Sequence, residues 1–159
     1  MEVGQLDNIV QKIKDAWLEN VPSATVPYFK ELEGSTKQRI HNDGMDSDGV
    51  QIGLKNSRKG SYSPGYARRK VKIVGEANLY PINLQLLGDL LGAFTTGTEG
   101  GKPTLKFQTE NAANIAAYNE KNFKTDIYRP SRQQLDDANE VLEIGIREFL
   151  QDTIKNIIS

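Results

Sequence analysis

His41 is the only histidine in the chain, and there is no cysteine. Catalysis of the triad type needs a nucleophile, a base and a group that orients the base, and no second imidazole or thiol is present to complete such a set. The lack of thiols also excludes disulfides and thiolate metal sites. Carboxylates recur at helical spacing in Asp136/Glu140, Asp137/Glu140 and Glu140/Glu143, a pattern that reads as a solvated helix face. The chain is therefore expected to be non-enzymatic, with no catalytic residue, no metal and no cofactor.

Two glycine-bearing runs imitate ligand loops. In Asp43-Gly44-Met45-Asp46-Ser47-Asp48-Gly49, setting Gly49 at the turn glycine of a calcium loop puts Gly44 at the first ligand position. It also puts Lys55 where the bidentate glutamate belongs. Both ends fail, so the run reads as an Asp/Gly turn that stops a helix, with a weak irregular cation site as the other option. Gly97-Thr98-Glu99-Gly100-Gly101-Lys102-Pro103-Thr104 resembles a phosphate loop only in its glycines. Its first glycine falls one residue late, Pro103 replaces the hydroxyl residue, and a strand follows where a helix is required. A tight hairpin-like turn is expected there.

The strongest signal is electrostatic. Residues 49 to 75 contain Lys55, Arg58, Lys59, Arg68, Arg69, Lys70 and Lys72 without a single Asp or Glu, on a chain whose formal charge is only -1. Cations without a local counter-ion either stay solvated or face an anionic partner. Together with the interleaved Tyr62 and Tyr66 they form the candidate contact set, for nucleic-acid phosphate or an acidic protein face. The last predicted helix carries such a face in Asp136, Asp137, Glu140, Glu143, Glu148 and Asp152, against Arg132, Arg147 and Lys155. Opposite charges on different regions of one chain suit head-to-tail contact between identical copies.

The elements that carry these groups follow from periodicity. Val3, Leu6, Ile9, Val10, Ile13 and Trp17 mark an amphipathic helix that Val21-Pro22 is expected to end or kink. Ser23 then caps a second helix, with Pro27 near its first turn, and Asn42-Asp43-Gly44 stops it. A long basic loop spans residues 43 to 81, within which Lys70-Val71-Lys72-Ile73-Val74 alternates like a short strand. Asn83 to Phe94 reads as a helix with Leu84, Leu87, Leu91 and Phe94 on one face. A strand at 104–108 and an alanine-rich helix at 111–121 follow. The longest helix then opens at Pro130-Ser131, with Leu135, Ala138, Leu142, Ile146, Phe149, Leu150, Ile154, Ile157 and Ile158 apolar.

The expected fold is α+β. One helix-dominated domain over 1–159 has a small antiparallel sheet, N-terminal helices in 1–42, a basic arm in 43–81 and helix–strand–helix plus a C-terminal helix in 82–159. Core or interface candidates are Leu84, Leu87, Leu91, Phe94, Leu142, Ile146 and Phe149. Hydrophobic content is 37% and mean hydropathy is -0.55. Both are low for a chain that buries its apolar faces alone, which leans toward assembly. The N-terminus shows no signal-peptide pattern, and no apolar run approaches the ~20 residues of a membrane span, so a soluble, membrane-free protein is expected.

The order of segments resembles phage neck and tail-completion (virion morphogenesis) proteins over roughly residues 35 to 150. The resemblance lies in the run Arg39 to Gly49 leading to Ile52-Gly53 and then the Tyr- and Arg-bearing loop. It continues through Leu84-Gln85-Leu86-Leu87-Gly88-Asp89-Leu90-Leu91, a strand, Ala113 through Glu120, and Arg129-Pro130 before the last helix. It implies a non-catalytic subunit of a homo-oligomeric ring in the head–tail connector or at the end of the tail, continuing the DNA channel. The implied partners are copies of itself, portal, adaptor or tail proteins and the packaged DNA. The implied location is the virion, and the host cytoplasm during assembly. A small nucleic-acid-binding module that uses the basic segment 55–72 is the alternative.

Overall fold

The computed structural model describes residues 3–53, 62–75, 82, 84, 89–99 and 102–158. It is α+β and dominated by helices, in the order α1 (Val3–Gln38), α2 (Pro64–Val74), α3 (Asp89–Ala93), β1 (Phe94–Glu99), β2 (Lys102–Phe107), α4 (Glu110–Phe123) and α5 (Arg132–Ile158).

The N-terminal helix corrects the expected break at Val21-Pro22. Both Pro22 and Pro27 lie inside one continuous 36-residue helix, so no second helix starts at position 23. An interior proline removes an N–H and costs about 3 kcal/mol, so tertiary packing must offset it. Antiparallel α5 supplies that packing. The Trp17 and Phe149 rings meet edge to face at 5.4 Å. Further along, α5 presents Gly145, where an added Cβ would stand 3.7 Å from the Ala24 carbonyl oxygen. The two helices pack against each other, and Ile13, Val21, Tyr28 and Phe29 on α1 and Leu142, Ile146, Phe149 and Leu150 on α5 are all half-buried. Each contributes on the order of 1 kcal/mol.

Helix α1 ends by widening into a π-turn, Arg39–Asp43, closed by Gly44 at φ 61°, whose N–H donates to the Arg39 carbonyl. A side chain is strained at that angle, so glycine fits the stop. The expected Asp/Gly turn follows. Asp46 Oδ1 accepts from the N–H groups of Asp48 (3.0 Å) and Val50 (2.8 Å), while Thr125 Oγ1 donates to Oδ2. Asp46 is fully buried, and protein donors occupy its oxygens.

The strand pair β1–β2 is antiparallel, in register from Phe94 opposite Phe107 to Glu99 opposite Lys102, so the hairpin reading of the glycine run holds. Glu33 ties α1 to β1: its Oε2 accepts from Thr96 N (2.7 Å), Thr96 Oγ1 (2.9 Å) and Thr95 Oγ1 (3.2 Å), and Oε1 pairs with Lys37 at 2.6 Å. Burial alone would raise its pKa, but Lys37 and Thr96 outweigh it and hold the carboxyl down at about 2. Helix α4 starts at Thr109, whose side chain accepts from Ala112 N. Helix α5 opens on a capping box: Gln134 N donates to Ser131 Oγ (3.2 Å) and Ser131 N to Gln134 Oε1 (2.9 Å).

The central core joins Ile40, Ile52, Ile82, Leu84, Leu91, Phe94, Ala116, Phe123, Ile127 and Tyr128. Leu84, Leu91 and Phe94 thus belong to the core, but not on one helix as expected. Leu84 has φ 52° and donates its N–H to the Tyr62 hydroxyl (3.1 Å), Leu91 lies in the short α3, and Phe94 opens β1. Leu87 lies outside the described residues. Leu142, Ile146 and Phe149 sit outside this core, in the α1–α5 seam. There no described side chain of α1 before Leu32, nor of α5 after Ala138, is fully buried. Leu135 and Ile154, expected on the apolar face of α5, are 37% and 41% exposed. Among the described residues no helix is long and apolar enough to cross a membrane.

Candidate interaction surface

Much of the expected basic loop is a helix. Ser63 caps α2 by accepting from Tyr66 N (3.4 Å), Pro64 fills the first turn, and Gly75 ends it at φ 88°. The stretch Lys70–Val74, expected as a strand, is its last turn and a half. Ala67, Arg68, Arg69 and Lys70 are good helix formers, and the Lys-Val-Lys-Ile-Val alternation is too short to outweigh them.

The helix sorts the predicted contact residues into two sets. Arg68, Arg69 and Lys72 point outward and are exposed, beside Ile73 at 44% exposure. None of the three meets a carboxylate within ion-pair distance among the described residues.

The other residues face the protein. Lys70 is fully buried, which corrects its assignment as a contact residue. Its Nζ donates to the Tyr62 hydroxyl (3.0 Å) and lies 4.5 Å from the centre of that ring. The half-buried Tyr62 also packs on the core and against Tyr66, with ring centres 4.9 Å apart. Tyr62 is therefore a strut that carries α2, not an open stacking platform. The half-buried Tyr66 has its hydroxyl pKa pushed up by burial, with Arg69 acting the other way. Lys55, Arg58 and Lys59 lie outside the described residues.

Burial lowers the Lys70 pKa from 10.5 to about 8. The folded chain then releases this proton more readily than the unfolded one, so stability rises with pH from about 8 toward 10.5. Lys70→Met removes the titration. Urea unfolding between pH 7 and 10 is expected to show the rise in the parent and a flatter profile in the variant. Equal slopes contradict a buried, destabilised ammonium.

A second surface lies on α5. Asp136, Asp137, Glu140 and Glu143 are all exposed, no cation occurs between Gln133 and Ile146, and Ile144 among them is 56% exposed. The cleft beside the start of α5, about 600 Å³, is lined by Ser47, Asp48, Arg129, Ser131 and Arg132. Arg129 there already lies 3.6 Å from Asp48 and 3.5 Å from Asp126. His41 is exposed and its Nδ1 meets the Asn42 side chain at 2.8 Å. Among the described residues no group of three His, Cys, Asp or Glu side chains converges as a metal site.

Sequence reasoning missed the junction that positions all of this. Arg39 is buried, and its guanidinium donates to Gln134 Oε1 (3.1 Å) and to the carbonyls of Met45 (2.8 Å), Ile127 (2.9 Å) and Arg129 (2.9 Å). Burial lowers its pKa while Asp46 and Asp43 oppose the shift. Nearby, Glu120 Oε1 accepts from Ile127 N (2.9 Å) and Tyr128 N (3.2 Å). The spacing Ser131-x-x-Gln134 was a legible cap signal, but nothing local marks Arg39 as buried. Comparison of the chain with protein-family models, with curated proteins and with solved structures found no match.

Proposed function

We propose that this chain is a non-enzymatic structural subunit of a phage head–tail connector or neck, or of the tail-completion complex, that assembles with copies of itself into a ring around the DNA channel. Its site of action is then the virion, with the host cytoplasm as the place of assembly. The observation that carries this proposal is the separation of charge on two helices, a cationic outer face on α2 and an anionic outer face on α5. The α1–α5 seam adds support, because the described apolar side chains of α1 before Leu32 and of α5 after Ala138 are at most half-buried. The resemblance of the segment order to neck and tail-completion proteins points the same way.

The test is electron microscopy of the native particle with the chain labelled. Label confined to the head–tail junction or the tail end, in several copies, supports the proposal. A particle without the chain overturns it.

The exposed Arg68, Arg69 and Lys72 also suit phosphate, which keeps a nucleic-acid-binding module as a second reading. That reading loses Lys70 to the interior, and Tyr62 and Tyr66 are half-buried against each other. It requires a purified monomer that binds DNA at ~0.1 M salt with a steep salt dependence.

A further inference from the structure

We infer that the outer face of α2 docks on the outer face of α5 of a second copy of this chain, through Arg68, Arg69 and Lys72 against Asp136, Glu140 and Glu143, with Ile73 and Ile144 meeting between them. The inference deepens the ring proposal by naming its contact, and it rests on that proposal only for the closure of the assembly.

Both faces are displayed on regular helices, so their spacing is set by backbone geometry. Arg68 and Lys72 stand four residues apart, as do Asp136 and Glu140, and Arg69/Lys72 and Glu140/Glu143 are each three apart. Like charges at these spacings oppose their own helix by a few tenths of a kcal/mol per pair. Two rows of opposite sign laid side by side convert those repulsions into cross-helix attractions. Asp136 and Asp137 also sit favourably near the positive start of α5, but Glu140 and Glu143 lie beyond that turn and have no such support.

An apolar residue sits at the same offset on each helix. Ile73 follows Arg69 by one turn, Ile144 follows Glu140 by one turn, and they are 44% and 56% exposed. Contact between the two helices covers both. Among the described residues no ion pair joins the two faces within one chain. The faces differ, so the contact is head-to-tail and repeats from copy to copy, ending only when a ring closes.

Charge reversal tests this on the full chain. One variant carries Arg68→Glu, Arg69→Glu and Lys72→Glu, and the other carries Asp136→Lys, Glu140→Lys and Glu143→Lys. All six positions are exposed, so circular dichroism and melting should stay close to the parent and serve as the folding control. Sedimentation in ~0.05 M salt, where screening is weak, is expected to show self-association of the parent. Each variant alone should associate at least ~100-fold more weakly, and an equimolar mixture should recover, because each then offers the face the other lacks.

Variants that assemble like the parent, or a mixture that fails to recover, overturn the inference. So does a parent that stays monomeric up to ~1 mM, the weak limit of specific affinity. Rings that survive reversal leave the ring proposal standing and remove only this contact. Loss of DNA binding in the first variant, with no self-association in the parent, assigns the face to nucleic acid instead.

Discussion

Replacing Arg39 with alanine is expected to cost about 4 kcal/mol of folding stability, the largest effect of any single substitution considered for this chain. The guanidinium donates to Met45, Ile127, Arg129 and Gln134 at 2.8 to 3.1 Å. Hydrogen bonds to a charged donor are worth ~1.5–3 kcal/mol each, although they do not add independently. Truncation strands three carbonyls and the side-chain oxygen that also completes the cap of α5. Arg39→Lys keeps the charge but not the planar fork, so it should recover less than half of the loss. At ~2–4 °C per kcal/mol for a chain of this size, the alanine variant should melt roughly 8–16 °C lower. A drop of under ~1 kcal/mol in urea titration would show that water replaces the arginine freely and that the junction is not held by it.

The second large effect is expected at Asp46. Its side chain is fully buried and organises residues 46–50 against Thr125. Asp46→Ala removes the acceptor that the N–H groups of Asp48 and Val50 and the Thr125 hydroxyl share, for a loss of about 3 kcal/mol. Asp46→Asn keeps an oxygen for the two N–H groups and offers an NH₂ toward the threonine hydroxyl, which can rotate to accept. The amide should therefore restore most of the loss. If asparagine is as damaging as alanine, the carboxylate charge acting on Arg39 matters more than the hydrogen bonds.

Neither residue was legible as important from the chain alone. A lone Arg39 in a polar stretch looks like surface charge, because its acceptors come from residues 45, 127, 129 and 134 and only the fold brings them together. The same blindness to distant partners hid the continuity of α1. The penalty of Pro22 and Pro27 is local and visible, while the seam with α5 that offsets it is not. Lys70 was assigned by its charge to the outside, yet it stands one turn after Tyr66 and faces the Tyr62 ring.

Local signals did better where they agreed with one another. The Asp/Gly stop after α1, the strand β2, the alanine-rich α4 and the long α5 all lie close to where their turn residues and periodicity place them, whereas β1 occupies residues expected as a helix end and a turn. Leu84 to Phe94 shows the limit of periodicity. Its spacing marked Leu84, Leu91 and Phe94 as buried correctly and their secondary structure only in part, since side-chain burial is needed wherever the backbone goes. Arg68, Arg69, Lys72 and the acids Asp136, Glu140 and Glu143 are exposed as their charge led one to expect, and among the described residues none of them forms an ion pair.

Self-association of the unmodified chain, followed by mass measurement and electron microscopy as concentration rises, probes the proposed role most directly. Closed rings of one copy number, dissociating as salt is raised from ~0.05 to ~0.5 M, are the predicted result. A chain that remains monomeric throughout, and instead binds DNA with an affinity that collapses over the same salt range, contradicts it.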